Sequence, residues 1–508
     1  MQKKWLIVLI VVFVLYFSLF ATFNYSISAD KAVEGIMAKH IMEGKPVPFF
    51  LYGSAYCGGC SLVAAFLVPI YWIFGMHSLS YRILSAFIGF LFILLYYFFA
   101  EKYLNEKAAL ISCLSLFISP VAFYFMFYIT VAAYAVALIL NIAVVLLFFQ
   151  IISQKNRTFL KLVFFGIIVG LAWWNLEFVL PVFIFCIVFW LVDEGISIFK
   201  RDLWLVFLGL IAGLIPLIIY NLTHNLDNIK QFLAGSILHK IACNLNIFSD
   251  SVEFAGRTVD HCSIFLNSRI PVSLVVFFTG VLKDLFASWI IYILFLAILV
   301  YSLYTYKDQF MQFNNWFIVF YILIIIISKR MDVQHLIIMF PFIAIMFGYF
   351  VSDKIAKLRY RYAIVVVLLF IVVISNILFF SRLENTFPAV PEVVDFLKEN
   401  NVKYFYAPYK LKWRILFNSK EEIIGSCDGL CPCLYRYPKY EQRVEGSGTS
   451  NFVFKKESTL DNKFHLYLVK NDVVFRKQSI GNINIYYDIK KKITPKDVID
   501  SCVDSDQN

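Results

Sequence analysis

The chain has 508 residues, is 61% hydrophobic and 19% aromatic, and carries a formal net charge of +11. Apolar runs of about 18 or more residues recur through its first three quarters, each long enough to cross roughly 30 Å of hydrocarbon. This composition excludes a soluble globular enzyme. The basic residues fall mainly in short loops between the apolar runs, where they set orientation, so the charge does not indicate a nucleic-acid partner.

The apolar runs predict a polytopic α-helical membrane protein with about eleven transmembrane helices. Lys3 and Lys4 place the N-terminus in the cytoplasm, and an odd number of crossings places the C-terminus outside. The first run is a retained span, because it is too long for a signal peptide and no small-residue cleavage site follows it. The predicted spans are roughly residues 5–23, 80–100, 107–123, 130–152, 160–175, 177–192, 203–221, 287–305, 316–328, 335–351 and 362–380.

Long and short loops divide between the two sides of this predicted bundle. Two long loops, residues 24–79 and 222–286, are external, whereas the internal loops are all short. This asymmetry places the chemistry or binding on the non-cytoplasmic face. We therefore predict a transmembrane domain over residues 1–382, including these outer loops, and an extracytoplasmic α/β domain over residues 383–508.

The first outer loop begins with a predicted amphipathic helix. Ser28 is a good N-terminal cap and Gly44 a good C-terminal one, and between them apolar residues recur with a helical period. We expect this helix to lie in the membrane interface, with Asp30 and Glu34 one turn apart on its more polar side. The aromatic and glycine residues that follow, Tyr52 among them, suit either a sugar face or an aromatic belt at the membrane surface.

The C-terminal residues show a mixed pattern. FPAVPEVVDFLKENN predicts a helix that begins near Pro391 and ends at Asn400 and Asn401. VKYFYAPY alternates as a strand does, and further strand candidates are WRILFNS, NFVFKK, KFHLYLV and NINIYYDI.

The ten cysteines divide by predicted location. Cys113 and Cys186 fall within spans and are predicted to be packing residues. The other eight fall outside the cytoplasm, where disulfides persist, and are Cys57, Cys60, Cys243, Cys262, Cys427, Cys431, Cys433 and Cys502. Metal binding is the rival interpretation, but no histidine lies at ligand spacing beside either close cysteine cluster, so no metal site is predicted. Spacing leaves the pairing of these eight cysteines open, with Cys243 and Cys262 as the local candidate pair.

Several segments, in their order along the chain, resemble a known family. They are an early aspartate after the first span, then FFLYGSAYCGG and FGMHSLSYRILSAFIG, then GLAWWN, GLIAGLIPLIIYN and RMDVQHLIIMFPFIAI. Together they resemble the C-type membrane glycosyltransferases, in particular the group that includes protein O-mannosyltransferases and the aminoarabinose transferase of lipid A. The resemblance covers most of the chain.

This resemblance implies transfer of a sugar from a polyprenyl or dolichyl phosphate, with no nucleotide cofactor and with inversion at the anomeric carbon. The family's early aspartate corresponds to Asp30, whose implied role is general base. Many members carry glutamate next, whereas this chain has Lys31, and a second acidic residue is missing from FYFMFYITVAAY. These departures affect the acceptor more than the reaction type.

The candidate substrate-binding residues are charged or aromatic and lie near the predicted outer face. They are Glu34, Tyr52, Arg82, Lys329, Arg330 and His335. The basic ones would neutralise the leaving phosphate, the alternative being charges that merely extend from the membrane rim to water. Glu34 either supports Asp30 or is a solvated charge.

Two other functional classes remain open from the sequence. A transporter or flippase of lipid-linked sugars is one, but the spans contain very few charges of the kind that ion coupling needs. A membrane-anchored binding protein is the other, although about eleven spans are far more than an anchor needs. We expect membrane lipid, a polyprenyl-phosphate sugar and an acceptor glycan, lipid or protein as partners.

Overall fold

The structure is a computed structural model of the whole chain. It describes residues 27–116, 133–153, 157–195, 202–230, 289–328, 336–360, 387–430, 433–448 and 450–498, with isolated positions elsewhere and a short hairpin within 252–259. The predicted spans 5–23 and 362–380 and the pair Cys243 and Cys262 lie mostly or wholly outside these residues.

Helices form most of the first three quarters of the described chain. In order they are α1 Ala29–Met42, α2 Gly58–Phe74, α3 Ser78–Tyr103, α4 Glu106–Ser115, α5 Ala133–Ile152, α6 Phe159–Asn175, α7 Val179–Glu194, α8 Asp202–Gly213, α9 Ile215–Thr223, α10 Trp289–Thr305, α11 Gln309–Ser328 and α12 Phe340–Asp353. The helices from α3 onward overlap the predicted spans between residues 80 and 351, as their apolar composition requires.

Membrane-crossing length is reached by a subset of these helices. Among the described residues, α3, α5 and the stretch Gln309–Ile326 are each long and apolar enough to cross a membrane, and α8 with α9 adds a bent pair. The bend between α8 and α9 is 56°, and it falls between Gly213, the last residue of α8, and Pro216, which has no backbone N–H to donate. The prediction of eleven spans stays a prediction.

Glycine permits a close approach between α6 and α8. A Cβ atom on Gly166 would lie 2.0 Å from the Val206 carbonyl oxygen, and one on Gly209 would lie 2.0 Å from that of Val163. Gly170 and Gly213 meet one turn further along. Two small-xxx-small patterns thus bring the helix backbones together, as is common between helices in membranes.

The described chain separates into two compact units. The first comprises Met1–Phe17, Tyr56–Gly59 and Ser85–Leu383, and the second comprises Ser18–Ala55, Cys60–Leu84 and Glu384–Asn508. The second unit thus combines most of residues 24–79 with the C-terminal residues.

A five-stranded mixed sheet organises the C-terminal residues. Its strands β3 Tyr404–Tyr406, β4 Ile424–Ser426, β5 Phe452–Lys455, β6 Arg476–Ile480 and β7 Ile483–Tyr487 follow a separate hairpin of β1 Val252–Phe254 with β2 Arg257–Val259. The spatial order is β4-β3-β5-β7-β6, with β3 parallel to β4 and β5, and β7 antiparallel to β5 and β6. The helices between them are α13 Val390–Glu399, α14 Tyr409–Asn418, α15 Pro438–Ser447 and α16 Thr459–Lys470.

Two strand predictions in this region are wrong. WRILFNS lies in α14, where every residue from Leu411 to Phe417 is buried, and a fully buried run cannot be assigned to helix or strand by its period. KFHLYLV lies in α16, whose buried residues Asp461, Phe464 and Leu468 have the helical spacing. The helix predicted near Pro391 and the strands in VKYFYAPY, NFVFKK and NINIYYDI are confirmed.

Candidate functional site

Helix α1 forms where the sequence predicts it. The Ser28 side chain accepts a hydrogen bond from the Lys31 backbone N–H at 3.3 Å, and Gly44 follows the helix with a φ of +84°. The helix is not one-sided, because from Ala29 to Ala38 every residue except Asp30 is buried. The prediction that Glu34 lies on a polar side is therefore wrong, since Glu34 has no exposed surface.

Asp30 is held by residues from the C-terminal part of the chain. The Tyr409 hydroxyl donates to its Oδ1 at 2.7 Å, and Nη2 of Arg436 lies 3.7 Å from the same oxygen. Arg436 also donates from Nε to the Tyr409 hydroxyl at 3.1 Å and from Nη1 to the Ser54 hydroxyl at 2.5 Å. The side chain of Arg436 is 5% exposed and that of Asp30 is 50% exposed, so buried donors hold one face of a carboxylate that is otherwise open.

Local structure accounts for the position of these donors. Tyr409 is the first residue of α14, directly after Pro408, and α14 packs along α1. Arg436 follows a loop that the Cys427–Cys433 disulfide closes. Gly53 has a φ of +62°, and a Cβ there would lie 2.2 Å from the Tyr435 carbonyl oxygen, so glycine is needed for Ser54 to reach Arg436.

A second group of interacting residues consists of Lys31 and Glu34 of α1 with Tyr81 and Arg82 of α3. Tyr81 donates a hydrogen bond to Oε2 of Glu34, and the Lys31 ammonium lies 5.1 Å from the centre of the Tyr81 ring. Burial raises the pKa of Glu34 well above its ordinary value, and the Tyr81 hydrogen bond and the Lys31 charge offset this only in part. Burial, together with the positive charge of Arg82, lowers the pKa of Lys31 to about 7 against the attraction of Glu34. The interpretation of Glu34 as a solvated charge is excluded.

Tyr52 belongs to a third cluster, at the far end of α1. Its hydroxyl lies 2.9 Å from Nδ1 of His40, whose Nε2 is 3.0 Å from Oε1 of Glu421. Tyr440 donates to the same oxygen, and Lys39 pairs with Oε2 at 2.7 Å. Burial alone would raise the pKa of Glu421, but the hydrogen bonds from His40, Lys39 and Tyr440 lower it to about 2. This cluster ties α1 to the C-terminal residues.

Two groups of possible metal ligands occur among the described residues. His40, Glu43 and Glu421 bring one ligand atom each within 4.8 Å of one another, but hydrogen bonds and ion pairs within the protein occupy His40 and Glu421. Cys427, Cys433 and Glu441 also meet, but the two sulfurs form a disulfide and so offer no thiolate. Neither group fits a resident cation.

The structure describes only some of the remaining residues that the sequence singled out. Arg82 is partly exposed near the start of α3, whereas Lys329, Arg330 and His335 lie outside the described residues. Cys57 and Cys60, like Cys427 and Cys433, are disulfide-bonded, and Cys113 and Cys186 are free and buried as expected of packing residues.

Sequence reasoning missed Tyr409, Arg436 and Ser54, and no local signal marks them, because Tyr409 and Arg436 lie more than 370 residues from Asp30.

Solved structures with a similar fold provide the comparison. ArnT from Cupriavidus metallidurans, in a crystal structure bound to undecaprenyl phosphate, matches with a TM-score of 0.64 and 11% identity over 96% of this chain and 98% of its own. Its apo structure matches with a TM-score of 0.61 and 12% identity over 95% of this chain and 98% of its own. The archaeal oligosaccharyltransferase AglB from Archaeoglobus fulgidus, in complex with an inhibitory peptide and a dolichol-phosphate, matches with a TM-score of 0.54 and 12% identity over 97% of this chain and 75% of its own.

These matches concern the fold. No protein-family model and no curated protein sequence matches the chain. ArnT is a lipid A aminoarabinose transferase, and both ArnT and AglB are C-type membrane glycosyltransferases. The resemblance found in the sequence is therefore confirmed, because the chain has the fold of these membrane proteins.

Proposed function

We propose that this chain is a glycosyltransferase that moves a sugar from a polyprenyl-phosphate or dolichyl-phosphate donor to an acceptor. The reaction takes place on the non-cytoplasmic face of the membrane and inverts the anomeric carbon. In this proposal the N-terminus is cytoplasmic, the residues after 382 are extracytoplasmic, and the acceptor is a glycan, a lipid or a protein. No nucleotide and no nucleic acid takes part.

One observation carries the proposal. The likeness to ArnT extends over 96% of this chain and 98% of the other, so it includes the outer loops and the C-terminal residues as well as the membrane helices. That structure contains undecaprenyl phosphate, which is the chemical class of the donor's leaving group. The half-exposed carboxylate of Asp30, held by donors on one side, adds support from the chain's own residues.

Asp30 acts as general base in the proposed reaction. Its carboxylate takes the proton of an acceptor hydroxyl as that oxygen attacks the anomeric carbon. The bond between the anomeric carbon and the phosphate oxygen breaks, and polyprenyl phosphate leaves with the electron pair. Because attack and departure occur on opposite sides of the carbon, the configuration inverts.

The other candidates contact the donor or support those that do. Arg82 is proposed to pair with the leaving phosphate, with Lys329, Arg330 and His335 as further contacts. Tyr52 presents its ring to the sugar or acceptor. Glu34 has no exposed surface, so its proposed part is indirect: it accepts the hydrogen bond of Tyr81, the residue that precedes Arg82.

The test is transfer from a panel of polyprenyl-phosphate sugars by the purified full-length protein in liposomes, with crude membranes supplying the acceptor. Release of free polyprenyl phosphate is measured for the wild type and for Asp30→Asn. We expect turnover in the wild type and a loss of at least about 100-fold in the variant, as is usual when a general base is removed.

Each alternative outcome has a separate meaning. Turnover that survives in Asp30→Asn would keep the reaction but place the base elsewhere. Binding of a lipid-phosphate donor without any transfer, together with movement of that donor across the bilayer, would favour a flippase instead. Circular dichroism and size-exclusion elution of Asp30→Asn show whether the variant is still folded.

A further inference from the structure

We propose that Tyr409 and Arg436 are positioning residues for Asp30, holding one carboxylate oxygen so that the other is presented to the acceptor. This inference rests on the proposed function and assigns a part in the reaction to the C-terminal residues. It concerns the geometry of the base and is independent of which sugar is moved.

The two oxygens of Asp30 have different surroundings. Oδ1 accepts from the Tyr409 hydroxyl at 2.7 Å and lies 3.7 Å from Nη2 of Arg436. Among the described residues, no hydrogen bond is formed by Oδ2, and the side chain is 50% exposed. A general base needs a free lone pair directed at the incoming hydroxyl, and Oδ2 provides one.

The donors form a fixed chain rather than a set of separate surface contacts. Arg436 Nε donates to the Tyr409 hydroxyl, and that hydroxyl donates its own proton to Asp30. Nη1 of Arg436 is fixed by Ser54, which lies on the same outer loop as Asp30. Both Arg436 and Tyr409 are buried, so neither side chain is free to turn toward solvent.

Charged and titratable side chains face Asp30 from several elements. From its own helix, the nearby acid is Glu34, whose pKa burial raises well above its ordinary value. Lys31 follows Asp30 in α1 and interacts electrostatically with Arg82. Arg436 comes from the loop before α15. Burial and the Asp30 charge raise the pKa of Tyr409 above its ordinary value, so Tyr409 stays a donor at any working pH.

The experiment measures kcat and KM for the donor as a function of pH in the full-length protein. The variants are Tyr409→Phe, Arg436→Gln and the conservative Arg436→Lys. Tyr486→Phe is the matched control, because Tyr486 donates a hydrogen bond to the buried Asp461 in the same unit and does not contact Asp30.

We expect Tyr409→Phe to lower kcat about tenfold and Arg436→Gln about 100-fold, with KM for the donor changed less than about threefold. The split between kcat and KM is the deciding readout, because Tyr409 and Arg436 act on the position of Asp30 and not on binding of the donor. Arg436→Lys should restore part of the rate, and Tyr486→Phe should keep the wild-type profile.

The inference would be overturned if the wild type turned over, Asp30→Asn were inactive, and Tyr409→Phe and Arg436→Gln kept the wild-type rate and pH profile. It would also be overturned if Tyr486→Phe lowered kcat equally. Absence of turnover in the wild type with every donor is a different result, since it contradicts the proposed function itself. If Arg436→Gln fails to fold, Tyr409→Phe decides, because it removes a single oxygen atom.

Discussion

At the scale of single residues, Asp30 and Glu34 lie one turn apart on α1, and their surroundings give them different chemistry. Asp30 is half-exposed and receives a hydrogen bond from Tyr409. Glu34 is fully buried, and burial raises its pKa well above its ordinary value. The sequence spacing predicts that the two carboxyls lie on one side of the helix. Only the packing of the folded chain determines that Asp30 is half-exposed and Glu34 is buried.

Burial favours the uncharged form of Glu34, and this leads to a prediction about two substitutions. The free energy of unfolding of Glu34→Gln should lie within about 1 kcal/mol of the wild type, because an uncharged amide of nearly the same size replaces the carboxyl. Glu34→Ala should cost about 2–4 kcal/mol, because it leaves a cavity and removes the acceptor of the Tyr81 hydroxyl. Both are measured as thermal unfolding in detergent. A Glu34→Gln variant as unstable as Glu34→Ala would show that Glu34 is ionised.

Lys31 leads to a prediction about pH. Its pKa is about 7 in the folded protein against 10.5 ordinarily, so between these values the unfolded chain binds more protons than the folded one. Folding stability contributed by this group therefore rises with pH from about 7 to about 10.5, and its burial is most costly below pH 7. Lys31→Met should consequently stabilise the protein near pH 6.5, with an advantage that shrinks as the pH approaches 10.

The measurement for Lys31 is best made in the Glu34→Gln background, where the neighbouring carboxyl no longer titrates. The unfolding temperature is compared with and without Lys31→Met at pH 6.5, 8 and 9.5. An advantage that is constant over this range would contradict the lowered pKa of Lys31.

At the scale of secondary-structure elements, long apolar helices were predictable from sequence and the C-terminal elements only in part. Residues 78–103 and 133–152 carry enough consecutive apolar residues to leave no alternative. The run from Leu411 to Phe417 is equally buried but short, so its helix depends on packing against the sheet and α1. For α16 a capping signal was present in the sequence: the Ser458 side chain accepts a hydrogen bond from the Asp461 N–H, which marks a helix start rather than a strand.

The close contact of α6 with α8 supports a prediction that glycine-to-alanine substitutions have opposite effects on stability at two places in the chain. Gly209→Ala should destabilise the protein by about 1–3 kcal/mol, because its Cβ would meet the Val163 carbonyl oxygen. Gly446→Ala in α15, where a Cβ meets nothing within 4 Å, should stabilise by about 0.5–1 kcal/mol. Thermal unfolding of both variants is the measurement. Equal effects would contradict the close approach of the two helices.

At the scale of the whole molecule, the fold was predictable because it depends on the order and placement of segments that the sequence displays. The position of Asp30 in the first turn of a short helix was also predictable. Its partners were not, because no sequence pattern distinguishes Tyr409 and Arg436 from the other aromatic and basic residues of the chain. Only the folded chain shows which of them reaches Asp30.

The separation between Asp30 and its partners also has a consequence for biosynthesis. The hydrogen bond from Tyr409 joins residues 379 positions apart. At about 5–20 residues per second, a ribosome makes Tyr409 roughly 20–75 seconds after Asp30. During that interval the nascent chain already carries its proposed base but lacks the groups that hold it, so a stalled or shortened chain cannot complete the site.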